Sequence, residues 1–271
     1  MNRKKFALVC ENMVGLYVER RIQRTAAALS YFLTLSVFPM LICLYTMLGS
    51  FFPAGAELRE MLSGLLPEST VDTVVEYMSY ISENLSNTML AMALATVVTS
   101  ASAAFRTISD ALGEMRGLRR HGGAAGLLLG VVSSLIFLAA VYMAVILIVT
   151  GRWFLRFLDR HIMFMNISSN WAWGRFVLLF LLLFALLSTL YRVSAPRRGA
   201  VRIFPGALLG SLALLIVSFV FSAVIGVSSK YPLVYGSLAS SIIIMFWLYV
   251  CGVVLLMGNA LNVSLERADA H

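Results

Sequence analysis

The side chains able to do covalent or metal chemistry are few and scattered. The three histidines, His121, His161 and His271, stand far apart and lack paired carboxylates. The three cysteines, Cys10, Cys43 and Cys251, have no metal-ligand spacing. Cys43 and Cys251 fall inside apolar runs, where a thiol behaves as a small hydrophobe. There is no Gly-Lys-Ser/Thr phosphate loop and no His-x-x-Glu-His arrangement. Gly122, Gly123 and Gly126 suit a tight entry turn and close helix packing better than a nucleotide site. This inventory assigns no catalytic, cofactor-binding or metal-binding residue, and an enzyme is not expected.

What remains is a set of neutral polar and small residues embedded in apolar sequence. Asn259 and Asn262, spaced i, i+3, share one face of a helix. They read first as interhelical hydrogen-bonding groups and second as the lining of a head-group pathway. Ser30, Thr34 and Pro39 interrupt one apolar run, and Thr99 and Ser102 interrupt another. Gly206 and Gly210 form a Gly-x-x-x-Gly match after Pro205, and Gly236 and Ser237 begin the last apolar run. Small residues of this kind let membrane helices approach closely, so all of these are candidates for polar lining or helix packing.

The elements that position them follow from composition. Of 271 residues, 60% are hydrophobic and only 13% are charged, with a mean hydropathy of +0.89. Soluble domains carry roughly 25% charged residues, so too few polar side chains exist here to coat a water-facing surface. A bilayer core needs about 20 mostly apolar residues per helix. Six stretches qualify, at about 26–52, 88–105, 124–150, 173–191, 203–228 and 233–263. Apart from Arg175 at the edge of the fourth, they contain no Asp, Glu, Lys, Arg or His. Backbone groups in hydrocarbon must be satisfied within the segment, so helices are the expected form. The small and hydroxylated second stretch suits the bundle interior, and the Leu/Phe-rich fourth suits a lipid-facing position.

The expected architecture is therefore all-α, a polytopic bundle of six transmembrane helices with amphipathic surface helices. Basic residues gather in the N-terminal segment (Arg3, Lys4, Lys5, Arg20, Arg21, Arg24) and in the second and fourth loops (Arg106, Arg116, Arg119, Arg120; Arg192, Arg197, Arg198, Arg202). With Arg267 they outnumber Arg59, Arg152, Arg156, Arg160, Arg175 and Lys230 on the other side, which places both termini in the cytoplasm. The positive excess is thus read as topology, and no nucleic-acid partner is expected. Residues 1–24 form an N-terminal amphipathic helix, with Phe6, Val9, Cys10, Met13, Leu16 and Tyr17 on its apolar face. Residues 25–265 form the spanning domain and 266–271 a cytoplasmic tail. The outer loop 53–87 is acidic, and Val71, Val74, Val75, Met78 and Ile81 predict a second amphipathic helix there.

Three motifs resemble the YihY/virulence factor BrkB family. They are Thr25-Ala-Ala-Ala-Leu-Ser-Tyr-Phe-Leu-Thr-Leu-Ser-Val-Phe-Pro39, then Pro205-Gly-Ala-Leu-Leu-Gly210, then Tyr235-Gly-Ser-Leu-Ala through Trp247 to Gly258-Asn-Ala-Leu-Asn-Val-Ser-Leu-Glu-Arg267. The resemblance implies a bacterial inner-membrane protein with six helices. Members were long labelled ribonuclease BN and have been linked to movement of lipid or lipopolysaccharide precursors. Where the family commonly has Gly-Ala-Glu-Leu-Asn, this chain has Gly258-Asn-Ala-Leu-Asn262, so an amide replaces the acid. After the second span, Ala111-Leu-Gly-Glu-Met-Arg116 departs from the family's Ala-Leu-Asn pattern.

The functional expectation is transport or flipping of a lipid or other amphipathic substrate, with membrane lipids as partners. The alternative is a non-transporting scaffold for envelope machinery, and a ribonuclease comes a distant third. Association of the chain with copies of itself is left open.

Overall fold

The computed structural model describes residues 3–48, 59, 68–84, 86–118, 128, 131–132, 135, 171–195, 202–227 and 238–270. Among these the chain is helical, without strands. The helices are α1 (Arg3–Glu19), α2 (Ile22–Leu48), α3 (Glu68–Asn84), α4 (Asn87–Met115), α5 (Trp171–Val193), α6 (Phe204–Val227) and α7 (Leu238–Ala270).

Among the described residues, four stretches are long and apolar enough to cross a membrane: Ile22–Cys43, Asn87–Met115, Phe204–Ala223 and Ser241–Asp269. They correspond to the first, second, fifth and sixth expected spans. The fourth expected span is helical as α5, whose apolar part Leu179–Val193 is shorter. The third, 124–150, lies outside the described residues except at 128, 131–132 and 135.

Helix ends differ from the sequence boundaries for identifiable reasons. Helix α4 runs past Phe105 to Met115 because Ala104, Ile108, Leu112 and Met115 continue its buried face. The break between α1 and α2 falls at Arg20–Arg21, where Arg21 takes a left-handed φ of 48°. Ile22, Ala26 and Leu29 are already buried beyond it. Helix α2 continues through Pro39, and α7 runs on through residues assigned to a tail.

Helix α7 occupies the middle of the bundle and packs on α1, α2, α4 and α6, while α2 also lies along α4. The main core gathers where α1 meets the C-terminal part of α7, here called the terminal end. It joins Leu16, Ile22, Leu29, Ile108, Leu112, Leu187, Tyr191, Leu256 and Val263. A second cluster joins Ile42 and Cys43 of α2, Ala93 and Val97 of α4, and Met78 and Ile81 of α3. The amphipathic pattern of the acidic loop thus folds as a helix with Val71, Met78 and Ile81 buried and Asp72, Glu76 and Glu83 exposed. Each such side chain contributes about 1.5–3 kcal/mol relative to water exposure.

The apolar face expected of α1 is divided. Val9 and Leu16 are buried, and α1 packs on α7, with Leu16 joining the main core. Phe6 and Cys10 are exposed. Periodicity alone grouped all of them, because it locates apolar side chains but not the neighbour that covers them.

Candidate functional site

Four polar residues of α7, Asn259, Asn262, Glu266 and Asp269, recur at i, i+3, i+7 and i+10, and so form one stripe facing its neighbours. Asn259 and Asn262 are 0% exposed. Buried amides are tolerated only when hydrogen-bonded, and the stripe finds its partners at two helix ends that would otherwise leave backbone groups unsatisfied.

The first is the C-terminus of α4. Gly117, at φ 73°, closes it: Gly117 N–H donates to the Glu114 carbonyl at 3.1 Å and Leu118 N–H to the Gly113 carbonyl at 3.0 Å. Asn259 Nδ2 donates to the Leu112 carbonyl at 3.4 Å, and Arg267 Nη2 donates to the Met115 carbonyl at 3.4 Å. Arg116, whose side chain is 4% exposed, donates through Nη2 to Asn259 Oδ1 at 3.4 Å. Cations at this point complement the negative end of the α4 dipole.

The second is the N-terminus of α6. Asn262 Oδ1 accepts from Gly206 N–H at 2.7 Å while its Nδ2 donates to the Ile203 carbonyl at 3.1 Å. A residue of another helix therefore supplies the cap that a local Ser or Asp would normally provide. Pro205 needs no such partner, having no N–H. Glu266 Oε1 accepts from Arg202 N–H at 2.7 Å, which sets a carboxylate at the positive end of the α6 dipole. Both oxygens of Glu266 also accept from Arg116 Nη1 at 2.8 Å, so one ion pair bridges the two helix ends.

The rim extends the same logic outward. Asp269 pairs with Lys5 of α1 and, at 2.5 Å, with Arg202. These side chains are roughly a third to a half exposed, so water and salt screen both pairs.

Packing beneath the stripe is very close. A Cβ on Gly206 would stand 2.0 Å from the Gly258 carbonyl oxygen, and one on Gly258 would stand 2.4 Å from the Tyr191 hydroxyl. Gly210 lies against Leu187 and Gly258. Tyr191, fully buried at the end of α5, donates its hydroxyl to the Leu255 carbonyl at 2.7 Å.

The sequence candidates fall in different places. Asn259, Asn262, Gly206 and Gly210 meet at the terminal end. Ser30 is buried in α2 and donates to the Ala27 carbonyl, while Thr34 Oγ1 is buried without a hydrogen bond. Pro39 lies half-buried in the same helix. In α4, Ser102 is buried, whereas Thr99 is exposed and bonds back to its own helix at Ala95 and Thr96. Gly236 and Ser237 lie outside the described residues. Sequence reasoning missed Arg116, Tyr191, Arg202 and Glu266. Glu266 carried a usable signal, since it continues the Asn259–Asn262 spacing by one helical turn; Tyr191 carried none.

Replacing Asn262 with Leu is expected to lower stability by about 1–3 kcal/mol, because Gly206 N–H and the Ile203 carbonyl lose a buried partner together. Replacing exposed Thr99 with Val should change it by less than about 0.5 kcal/mol. Thermal unfolding of the two variants in one detergent checks the contrast.

Comparison with known proteins places this geometry in context. The model of the virulence factor BrkB family matches residues 13–271. A Bacillus subtilis (strain 168) protein named YfkH and described as ribonuclease-like is 24% identical over 266 residues, covering 95% of this chain and 94% of that protein. No solved structure matches.

Proposed function

The chain belongs to the virulence factor BrkB family, and from that premise we propose that it moves a lipid or other amphipathic molecule across the membrane it spans. The observation that carries this reading is the unequal closure of the bundle. The fully buried polar side chains Ser211, Asn259, Asn262 and Ser264 belong to the terminal end. Residues 215–223 of α6 and 241–251 of α7 have no buried side chain among those described. They carry Phe219, Val220, Ile242, Met245 and Phe246 uncovered. A bundle sealed at the terminal end, with α6 and α7 uncovered beyond it while α2, α3 and α4 keep a buried cluster of their own, suits a substrate that enters sideways from a leaflet along α6 and α7.

In this reading the chain makes six spans in a bacterial inner membrane, and the terminal end is cytoplasmic. In a chain with Cys10, Cys43 and Cys251 replaced by Ala, a cysteine introduced as Glu76→Cys in α3 is then labelled by an impermeant maleimide in intact spheroplasts. One introduced as Glu11→Cys is labelled only after permeabilisation; the reverse pattern overturns the orientation.

Ribonuclease chemistry is not part of this proposal. Glu266 and Asp269 at the terminal end are engaged by Arg116, Lys5 and Arg202. Reconstitution into liposomes with a fluorescent phospholipid tests transport directly. Transbilayer exchange faster than in protein-free liposomes supports it, and exchange at the protein-free rate leaves the scaffold reading instead.

A further inference from the structure

Helix α1 covers only part of the apolar surface it carries. Val9 and Leu16 are buried, and Lys5 ties the helix to Asp269. A second row stays uncovered: Phe6 is 57% exposed, Val14 64% and Val18 67%, with Cys10 exposed between them. A spacing of four residues keeps these side chains along one edge of the helix. Glu11, Asn12 and Glu19 occupy the remaining flank. An uncovered apolar row of this length marks a surface meant to be met by something apolar.

The row does not stop where α1 ends. Tyr17, on the same side, accepts a hydrogen bond from Gln23 Nε2 at 2.6 Å. Gln23 opens an exposed row along α2 that continues through Ala27, Tyr31 and Leu35. Because α2 is one of the helices long and apolar enough to cross a membrane, the uncovered edge of α1 runs into the exposed row of a spanning candidate. Three arginines stand at the elbow between them. Arg21 and Arg24 are exposed, and Arg20 is half-buried with its Nε unpartnered. None of the three joins an ion pair among the described residues. The turn is closed by backbone bonds: Arg21 N–H to the Val18 carbonyl at 3.2 Å, and Arg24 N–H to the Arg21 carbonyl at 2.9 Å. The guanidinium groups are therefore left for an external partner.

We propose that this elbow and the uncovered edge of α1 bind an anionic glycerophospholipid of the surrounding bilayer. The phosphate sits at Arg20, Arg21 and Arg24, and an acyl chain lies along Phe6, Cys10, Val14 and Val18. Guanidinium groups match phosphate with paired N–H donors. A lipid fits better than a protein partner, because the apolar row merges with the membrane-facing row of α2. Each arginine near an anionic surface is worth up to about fivefold in affinity. The site stands independently of whether the bundle transports anything.

The test uses the full chain with Cys43→Ala and Cys251→Ala, carrying an environment-sensitive fluorophore on Cys10. The protein is reconstituted in phosphatidylcholine vesicles containing phosphatidylglycerol, with brominated acyl chains on one lipid at a time. Brominated phosphatidylglycerol is expected to quench the probe about fivefold or more as effectively per mole as brominated phosphatidylcholine. The Arg20→Gln, Arg21→Gln, Arg24→Gln triple variant should bring that ratio to about one, and Val14→Ser with Val18→Ser should weaken quenching by both lipids. Equal quenching in the parent protein overturns the anionic selectivity. A water-like, unquenched probe overturns the lipid-facing row and leaves that edge to another partner.

Discussion

Adding one methyl group at Gly206 is expected to cost about 2–4 kcal/mol, a large share of the about 5–15 kcal/mol that holds a typical protein folded. The Cβ of Gly206→Ala would lie 2.0 Å from the Gly258 carbonyl oxygen, 2.5 Å from Asn262 Nδ2 and 2.6 Å from Asn262 Cγ. The nearest of these atoms is backbone, so no rotamer change relieves it. The helices must separate, and separation pulls Gly206 N–H away from Asn262 Oδ1, now 2.7 Å distant. Interhelical hydrogen bonds in membranes average only about 0.6 kcal/mol, so lost packing is the larger part of the cost.

Gly258→Ala offers a sharper test of the same crossing. Its closest contact is the Tyr191 hydroxyl at 2.4 Å, the far end of a side chain. Tyr191→Phe removes that atom and, made alone, costs about 1 kcal/mol through the lost bond to the Leu255 carbonyl. The two substitutions together should therefore destabilise by less than their sum. The Gly206 oxygen, 2.9 Å away, remains and keeps the rescue incomplete. Gly15→Ala is the control, with nothing within 4 Å, and should gain about 0.5–1 kcal/mol from helix propensity. Thermal unfolding in detergent reads all five variants, and an unchanged midpoint for Gly206→Ala would contradict the described contact.

The second large effect is expected at the ion pair beneath the rim. Glu266→Ala leaves the Arg116 guanidinium without its carboxylate while its side chain is 4% exposed. Removing one member of a buried pair costs about 3–5 kcal/mol. Glu266 is itself 25% exposed, so water can partly replace it, and a smaller cost of about 2–3 kcal/mol is expected. The double replacement Arg116→Met with Glu266→Leu removes both charges, and it should be less damaging than Glu266→Ala. A double-mutant cycle measures that coupling. Arg116→Lys is no conservative change here, because one ammonium on a flexible stem replaces the two fixed nitrogens, Nη1 on Glu266 and Nη2 on Asn259. The exposed pair of Lys5 and Asp269 should respond to salt, whereas the Arg116–Glu266 pair should respond little. Additive effects in the cycle would show that the pair is not coupled as the geometry requires.

These two predictions rest on different kinds of information. Uninterrupted apolar runs determined the helices α2, α4, α6 and α7, because backbone in hydrocarbon has no other way to satisfy its N–H and C=O groups. The pairing of Asn259 with Asn262 on one face followed from helical spacing alone, and so did the buried face of α3 through Val71, Met78 and Ile81. Family membership was legible in the motifs at Thr25–Pro39 and Gly258–Arg267.

The partners of those groups were not legible. Asn262 reaches the carbonyl of Ile203, 59 residues earlier and just ahead of the helix it caps, and Asn259 reaches a carbonyl 147 residues away at Leu112. No local pattern encodes such a bond, since any carbonyl at any helix end presents the same acceptor. Arg116 was counted as a topological loop charge, yet it lies buried because α4 extends past the apolar run that first defined it. In the same way α1 has one apolar periodicity but two destinations, the protein core for Val9 and Leu16 and an uncovered edge for Phe6 and Cys10. The sequence by itself determined which side chains avoid water and on which face of a helix they lie. Only the tertiary arrangement decided what each face meets, because burial and hydrogen bonding belong to pairs of surfaces that the chain brings together from distant positions.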